Sequence, residues 1–181
     1  GSSNGSFGTA IAFVGDMNDN KSREFAVSDP TASSNTGVVY LFNATKQAKT
    51  VADAVGTVTH DITGATGDKF GFAMADAGHF SWKTGADLTG DGLADLVVAT
   101  ATTGVGNNGT VYIIKGAKSL TGLVTSKAYY AFTDTSSTSF GANVILAPDI
   151  NGKSAKGKGY ADVVVGDPGA NSGVGQLYIY Y

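Results

Sequence analysis

The chain has 181 residues, 26 glycines, no cysteine, 15% charged side chains and a formal net charge of −3. The length is enough for a real core, while the missing cysteines exclude disulfides, thiol catalysis and zinc-finger chemistry. The scattered basic residues leave no nucleic-acid footprint, and no apolar run approaches the roughly 18 residues of a membrane-spanning helix. Short apolar runs separated by Gly, Ser, Thr and Asn predict an all-β chain with many tight turns.

In chain order, the first unit opens with Phe7-Gly8-Thr9-Ala10-Ile11-Ala12-Phe13, after Gly1-Ser2, which has the look of an expression scar. A polar loop from Asp16 to Glu24 follows, then Phe25-Ala26-Val27-Ser28-Asp29-Pro30. A polar turn from Ala32 to Thr36 leads to the strand-like Gly37-Val38-Val39-Tyr40-Leu41-Phe42, and Gly56 to Ile62 alternates as a half-exposed strand does. The second unit begins at Phe70-Gly71, passes the loop Asp87 to Asp95, and predicts strands at Leu96–Ala99, Gly109–Ile114 and Lys127–Phe132. The third begins at Phe140-Gly141, passes a loop from Asp149 to Asp162, and predicts strands at Val163–Val165 and Gly175–Tyr181. The Phe-Gly pairs lie 63 and 70 residues apart. A long period with several strands per unit marks a propeller or similar array, in which each unit buries its faces on its neighbours. Four strands are expected in each of the first two units and three in the last, with a weak N-terminal strand near Ser3 to Ser6 as a candidate twelfth.

Each unit carries an acid-rich loop. Ten of the fifteen acids lie in or beside these loops, a clustering that favours cation sites over a merely solvated surface. In the second loop, Asp87, Asp91 and Asp95 offer carboxylates, Thr89 its hydroxyl and Leu93 its carbonyl. Calcium takes six to eight oxygens at about 2.3–2.6 Å, and a glycine lets a short loop aim them. The first loop offers Asp16, Asn18, Asn20, the Ser22 carbonyl and Glu24; only two of these are acids and Lys21 replaces the turn glycine, so weaker binding is expected. The third loop keeps Asp149, Asn151 and Asp162 but contains five additional residues, with Lys153, Lys156 and Lys158. Counted back from Asp162, Lys158 falls where Asp91 sits, so an ammonium between Asp149 and Asp162 is expected to stand in for the ion, or the site to be a poor one. An EF-hand is excluded, because its twelfth position would be Val27 or Val98, inside strand-like runs.

Phe-Gly, then an Asp-x-Asn/Asp-x-Asp-Gly-x-x-Asp loop, then Val-Val-Gly-Asp-Pro, then Gly-x-Val-Tyr resembles the FG-GAP repeat, which builds the β-propeller of integrin α subunits and related bacterial surface proteins. The resemblance implies a β-propeller-like array of three four-stranded antiparallel blades, at about residues 7–63, 70–133 and 140–181. It also implies calcium in the loop joining the first two strands of each blade, and ligand binding on the opposite rim. The Gly-Ala-Pro element departs from the pattern at Ser28-Asp29-Pro30 and Ala99-Thr100-Ala101 and is nearest at Gly166-Asp167-Pro168. A propeller has about 4–8 blades, so three blades close alone, pair with a second chain as a homodimer, or belong to a larger ring.

Catalysis has little support: His60 and His79 have no evident nucleophile partner, and the acids are better explained as ligands. Gly152-Lys153-Ser154 lacks the preceding glycine of a phosphate loop, and Asp134 to Thr138 reads as a polar turn. The second unit has a longer entry to its loop, with His79, Phe80, Lys83 and the only tryptophan, Trp82, a candidate ligand anchor. The tyrosines near positions 129–130 and 178–181 read as strand packing or as carbohydrate stackers. The expected function is a non-enzymatic, calcium-stabilised extracellular or cell-surface adhesion module for a protein or glycan ligand. The alternative is a glycan-binding propeller or accessory domain of a secreted hydrolase.

Overall fold

Apolar residues at alternate positions, bounded by turn-forming Gly, Asp and Ser, fold as strands with one face toward each neighbour. The computed structural model describes residues 5–43, 58–75, 86–100, 108–137, 139–152 and 161–181. His79, Trp82, Lys153, Lys156 and Lys158 lie outside them, as does the His60 side chain.

Sheet 1 runs β1 (Ile11–Gly15), β2 (Glu24–Asp29), β3 (Val38–Asn43) and β4 (Val58–Thr63), each antiparallel to the next. Sheet 2 contains β5 (Ala73–Met74), β6 (Leu96–Ala99) and β7 (Thr110–Ile114). The chain then places β8 (Gly122–Leu123) parallel to β4 of sheet 1 and returns through the one-turn α2 (Val124–Lys127) to β9 (Ala128–Thr133) beside β7. Sheet 3 is β10 (Asn143–Ala147), β11 (Asp162–Asp167) and β12 (Gln176–Tyr180). The described sheets therefore hold five, four and three strands. The extra strand over the expected four, four and three is β8, held in place because its neighbours Leu120 and Val124 are buried in the core between sheets 1 and 2. The proposed strand at Ser3 to Ser6 does not form at Ser6; instead the Ser6 N–H donates to Asp29 Oδ1 at 2.9 Å.

The sheets stack in chain order, each with a front and a back. The back of sheet 1 (Ala12, Val14, Ala26, Val39, Leu41, Ile62) packs on the front of sheet 2 (Leu96, Val98, Ile114). The back of sheet 2 (Val97, Ala99, Val111, Ile113) packs on the front of sheet 3 (Val144, Val163, Val165). Each Phe-Gly pair sits on the front of its own sheet against the tyrosine of that unit's third strand. The ring centroids are 5.7 Å apart for Phe7–Tyr40, 6.0 Å for Phe70–Tyr112 and 5.2 Å for Phe140–Tyr178. Phe70 and Phe140 are fully buried between sheets, whereas Phe7 is 50% exposed. The glycine after each buried phenylalanine touches the sheet before it. A Cβ on Gly71 would lie 2.6 Å from Ser28 Cβ, and one on Gly141 would lie 3.0 Å from Val111 Cγ2; Gly8 has no such neighbour.

One-turn segments α1 (Ala32–Asn35) and α3 (Ala170–Gly173) occupy the same place after β2 and β11. Both turn through left-handed residues, Ser33-Ser34 and Asn171-Ser172, and both close with a glycine N–H (Gly37, Gly175) donating to the alanine carbonyl. Asp29 and Asp167 anchor these turns from buried positions. Asp29 Oδ1 accepts from Thr31, and Asp167 Oδ1 accepts from the Gly169 and Ala170 N–H groups and the Ser137 hydroxyl.

Sheets 2 and 3 are also joined at their rims, where the Tyr178 hydroxyl donates to Asp134 Oδ2. That bond, favouring the protonated phenol beside a carboxylate, pushes Tyr178 up to about 12. Asp134 is held below the usual carboxylate range by the Ser136 hydroxyl and then by Tyr178. A phenol raised in the folded state contributes stability fully below its unfolded value, near 10, and loses it as pH rises through about 12. A lowered carboxyl contributes above its unfolded value, near 3.9, and loses it on acidification. Tyr178→Phe is therefore expected to lower the urea midpoint throughout the neutral range, with the difference from wild type shrinking toward both extremes. A pH-independent difference would show that the hydrogen bond is not its source.

Candidate functional site: three acidic loops

The three loops join the first and second strands of their sheets, and they share one internal geometry. The opening acid accepts loop N–H groups. Asp16 accepts from Asn20 (3.1 Å) and Lys21 (3.0 Å), Asp87 from Gly90 (2.6 Å), Asp91 (3.2 Å) and Gly92 (2.8 Å), and Asp149 from Gly152 (2.7 Å). The closing acid accepts the N–H just after the opening one: Glu24 from Met17 at 2.8 Å, Asp95 from Leu88 at 2.8 Å and Asp162 from Ile150 at 2.7 Å. Glu24 and Asp95 are fully buried, and Asp162 is 4% exposed.

These bonds need sharp backbone turns three and five residues after the opening acid. The second loop supplies glycine at both places, Gly90 (φ 77°) and Gly92 (φ 88°). The first loop puts Asp19 (φ 60°) and Lys21 (φ 67°) there, a left-handed conformation that costs a residue with a Cβ about 1–2 kcal/mol. Its Lys21 ammonium pairs with Asp19, while Lys118 from the second unit reaches Asp19 at 3.6 Å. Asn18 is buried and its side-chain oxygen accepts from the Asn20 N–H at 3.1 Å. The Asn20 oxygen accepts from the Ser22 N–H, and its amide nitrogen donates to Glu24 and Asn43.

The second loop is the most richly built. Asp95 Oδ2 accepts from both Leu88 and Thr89 (2.9 Å), and Asp95 Oδ1 accepts from Gly116 at 2.8 Å. Burial pushes the Asp95 carboxyl up to about 6, opposed by those three N–H groups. Burial also raises Glu24. Asp91 is exposed; one oxygen accepts from the Leu93 N–H, and the other lies 3.4 Å from Lys115. The loop abuts the first one, with the Ala94 N–H donating to the Asp16 carbonyl at 3.0 Å.

The structure thus gathers Asp16, Asn18, Asn20, Ser22 and Glu24 in one loop, Asp87, Thr89, Asp91, Leu93 and Asp95 in a second, and Asp149, Asn151 and Asp162 at the ends of a third. Among the described residues, no three acid or imidazole side chains gather into a metal cluster. The donor set is nonetheless wholly oxygen, the class a hard cation takes. One further atom fits such an ion: the Thr89 Oγ1 is buried with no hydrogen-bond partner, an arrangement that costs free energy unless something accepts or coordinates it.

The tyrosines read from the sequence as strand packing or carbohydrate stackers line a second feature. A cavity of about 480 Å³ opens beside this loop between sheets 2 and 3, lined by Leu88, Thr89, Tyr129, Tyr130, Tyr180 and Tyr181 among others. Its tyrosines come from two units, so no single stretch of sequence displays it.

Comparison with known proteins agrees with the loop and strand pattern. The FG-GAP repeat family model matches residues 84–114, the second loop with β6 and β7. The chain is similar to integrin alpha-M of Mus musculus, 35% identical over 94 residues, which is 52% of this chain and 8% of the relative. It is similar to integrin alpha-D of Homo sapiens at 31% over 94 residues, 52% of this chain and 7% of the relative. The chain therefore spans less than a tenth of the length of these curated relatives. Phe-Gly, acidic loop and tyrosine strand recur in each sheet, and residues 84–114 match the FG-GAP repeat.

Proposed function

We propose that the chain is a non-catalytic, adhesion-type interaction module of an extracellular or cell-surface protein, whose acidic loops bind calcium and stabilise the fold. The observation that carries the calcium reading is the buried, unpartnered Thr89 hydroxyl inside an all-oxygen loop. Asp87, Asp91 and Asp95, with Thr89 and the Leu93 carbonyl, make the strongest set; the first loop, with fewer acids and strained Asp19 and Lys21, is the weaker. Extracellular calcium modules bind at about 10⁻⁴–10⁻³ M, which suits loops of this kind. The similarity to integrin alpha chains supports the adhesion setting, and none of the described helices is long and apolar enough to cross a membrane.

Calcium that binds only the native state adds about 2.7 kcal/mol at 100 times its dissociation constant. The melting temperature is expected to rise with calcium and fall with chelator. Thr89→Val separates this from a general salt effect. Without calcium the variant is expected to be neutral or slightly more stable, since it removes a buried hydroxyl that has no partner. With calcium it should lose a substantial part of the gain. Equal calcium responses in both proteins, or none in either, would remove Thr89 from the site.

A second reading, binding of a neutral glycan, is favoured by the tyrosine-lined cavity, whose volume lies within the range of small-ligand sites. Its lining residues carry no charge, and tyrosine offers sugars a flat apolar face beside a hydroxyl. A glycan array with Tyr130→Ala as control tests it. Trp82, outside the described residues, is a separate proposed anchor for a protein ligand.

A further inference from the structure

The first two acidic loops meet along a seam, and two peptide groups cross it in series. The peptide between Leu93 and Ala94 has its carbonyl among the proposed ligands of the second loop, and its N–H donates across the seam to the Asp16 carbonyl at 3.0 Å. That carbonyl belongs to the peptide between Asp16 and Met17, whose own N–H donates to Glu24 Oε2 at 2.8 Å. Glu24 is the closing acid of the first loop. A continuous line of hydrogen bonds therefore joins one proposed ligand, the Leu93 carbonyl, to another, the Glu24 carboxylate. Ala94, Met17 and Glu24 are all fully buried, so water does not compete along it. The segment leaving β7 closes the seam from a third side. The Gly116 N–H donates to Asp95 Oδ1 at 2.8 Å, and a Cβ on Gly116 would lie 2.5 Å from the Ala94 oxygen and 3.0 Å from the Met17 oxygen. On either side of it, Lys115 reaches Asp91 of the second loop at 3.4 Å and Lys118 reaches Asp19 of the first at 3.6 Å. Exposed pairs of that kind contribute little; the packed backbone is what ties the loops.

We infer that calcium in the second loop tightens the first through this relay, so that the two loops respond as a coupled pair with the second leading. This coupling rests on the calcium reading of the second loop proposed above. A cation on the Leu93 carbonyl withdraws electron density from its amide and makes the Ala94 N–H a stronger donor. The Asp16–Met17 peptide is polarised in turn toward Glu24, and hydrogen bonds in series strengthen one another by about 10–30% each in a low-dielectric interior. Binding also fixes the Leu93–Ala94 peptide, so part of the ordering of the first loop is complete before that loop gathers its own ligands. The repulsion between two calcium ions works against this, but across solvent it is screened over about 8 Å at physiological salt, whereas the relay is buried. Coupling of this kind is reciprocal. It matters most to the first loop, whose left-handed Asp19 and Lys21 make it the weaker of the two.

The test is a calcium titration of the isotope-labelled 181-residue chain, with backbone amides followed by NMR from chelator through about 10⁻⁴–10⁻³ M calcium. The Ala94 and Met17 amide protons are expected to move downfield with the same midpoint as Gly92 inside the second loop. Exchange of the Met17 amide with solvent should slow about fivefold or more relative to the β11–β12 ladder of sheet 3, fivefold being the lower end of ordinary coupling between sites. In Asp91→Ala, which leaves every first-loop residue in place, Met17 should lose that response. Thr89→Val, which weakens the second loop from its other side, should carry the Ala94 and Met17 midpoints to higher calcium together. A Met17 amide that stays still while Gly92 and Ala94 move, or that responds alike in wild type and Asp91→Ala, would overturn the coupling and leave the calcium reading standing. Exchange slowed equally at Met17 and in sheet 3 would overturn it too, being no more than global stabilisation. No movement of any second-loop amide would remove the calcium reading, and the coupling with it.

Discussion

Replacing Phe70 by alanine is expected to cost about 3–5 kcal/mol of unfolding free energy, the loss seen when a large aromatic is deleted from a closed core. The same change at Phe7, in the same motif one unit earlier, should cost about 1 kcal/mol or less. The difference lies in packing. Phe70 is wholly buried, lies against Tyr112, and its backbone presses on the first sheet so closely that a Cβ on Gly37 would lie 2.3 Å from the Phe70 nitrogen and oxygen. Gly64 faces the same side chain, with a Cβ there 2.4 Å from Phe70 Cβ. Backbone has no rotamer by which to yield, so the surroundings cannot collapse into the space Phe70 leaves. With domain stabilities of about 5–15 kcal/mol, Phe70→Ala approaches the unfolding threshold. Urea denaturation of the two variants under monomeric conditions checks this; similar losses would mean that the stacked front and back contribute nothing particular.

The second large effect is expected at Asp95. Asp95→Ala removes the acceptor of the Leu88, Thr89 and Gly116 N–H groups at a buried position. Each buried donor left unsatisfied costs about 1–3 kcal/mol, so a loss of about 3 kcal/mol or more is expected even in chelator. Asp91→Ala should behave in the opposite way. Its carboxylate is exposed and its ion pair with Lys115 is long at 3.4 Å, so the calcium-free chain should lose less than about 1 kcal/mol. In calcium, however, Asp91→Ala should forfeit much of the metal-linked gain. Melts of both variants, with calcium and with chelator, separate an acid that builds the loop from one that serves only the ion. Equal losses in chelator would contradict that division.

Much of this was legible because the sequence punctuates itself. The Phe-Gly pairs, the acids at Asp16, Asp87 and Asp149, and the tyrosines at 40, 112 and 178 mark equivalent places, and the strands between them alternate strongly. The bounds of the acidic loops could be read by spacing alone, since Glu24, Asp95 and Asp162 each open an apolar strand or stand just before one. What spacing could not reveal was which atoms are already engaged: the closing acids are buried against backbone N–H groups, and among the described residues of the three loops Thr89 alone keeps a buried side-chain oxygen without a partner. The two-residue β8 was also invisible. Gly122-Leu123 has no pattern of its own and becomes a strand only because Leu120 and Val124 are drawn into a core formed by residues far away in the chain. Likewise the tyrosine-lined cavity needs sheets 2 and 3 side by side before it exists.

That small parallel strand has a consequence for synthesis. Chains are generally expected to fold from the N-terminus as they emerge from the ribosome, and a stack of sheets invites the picture of units completed one at a time. Here the outer edge of sheet 1, at Ile62 and Thr63, is closed by Gly122 and Leu123, which come after β7 of the next sheet. The first sheet therefore cannot reach its final form until residue 123 has left the exit tunnel. Its birth order and its order of completion differ, and the two leading units mature together.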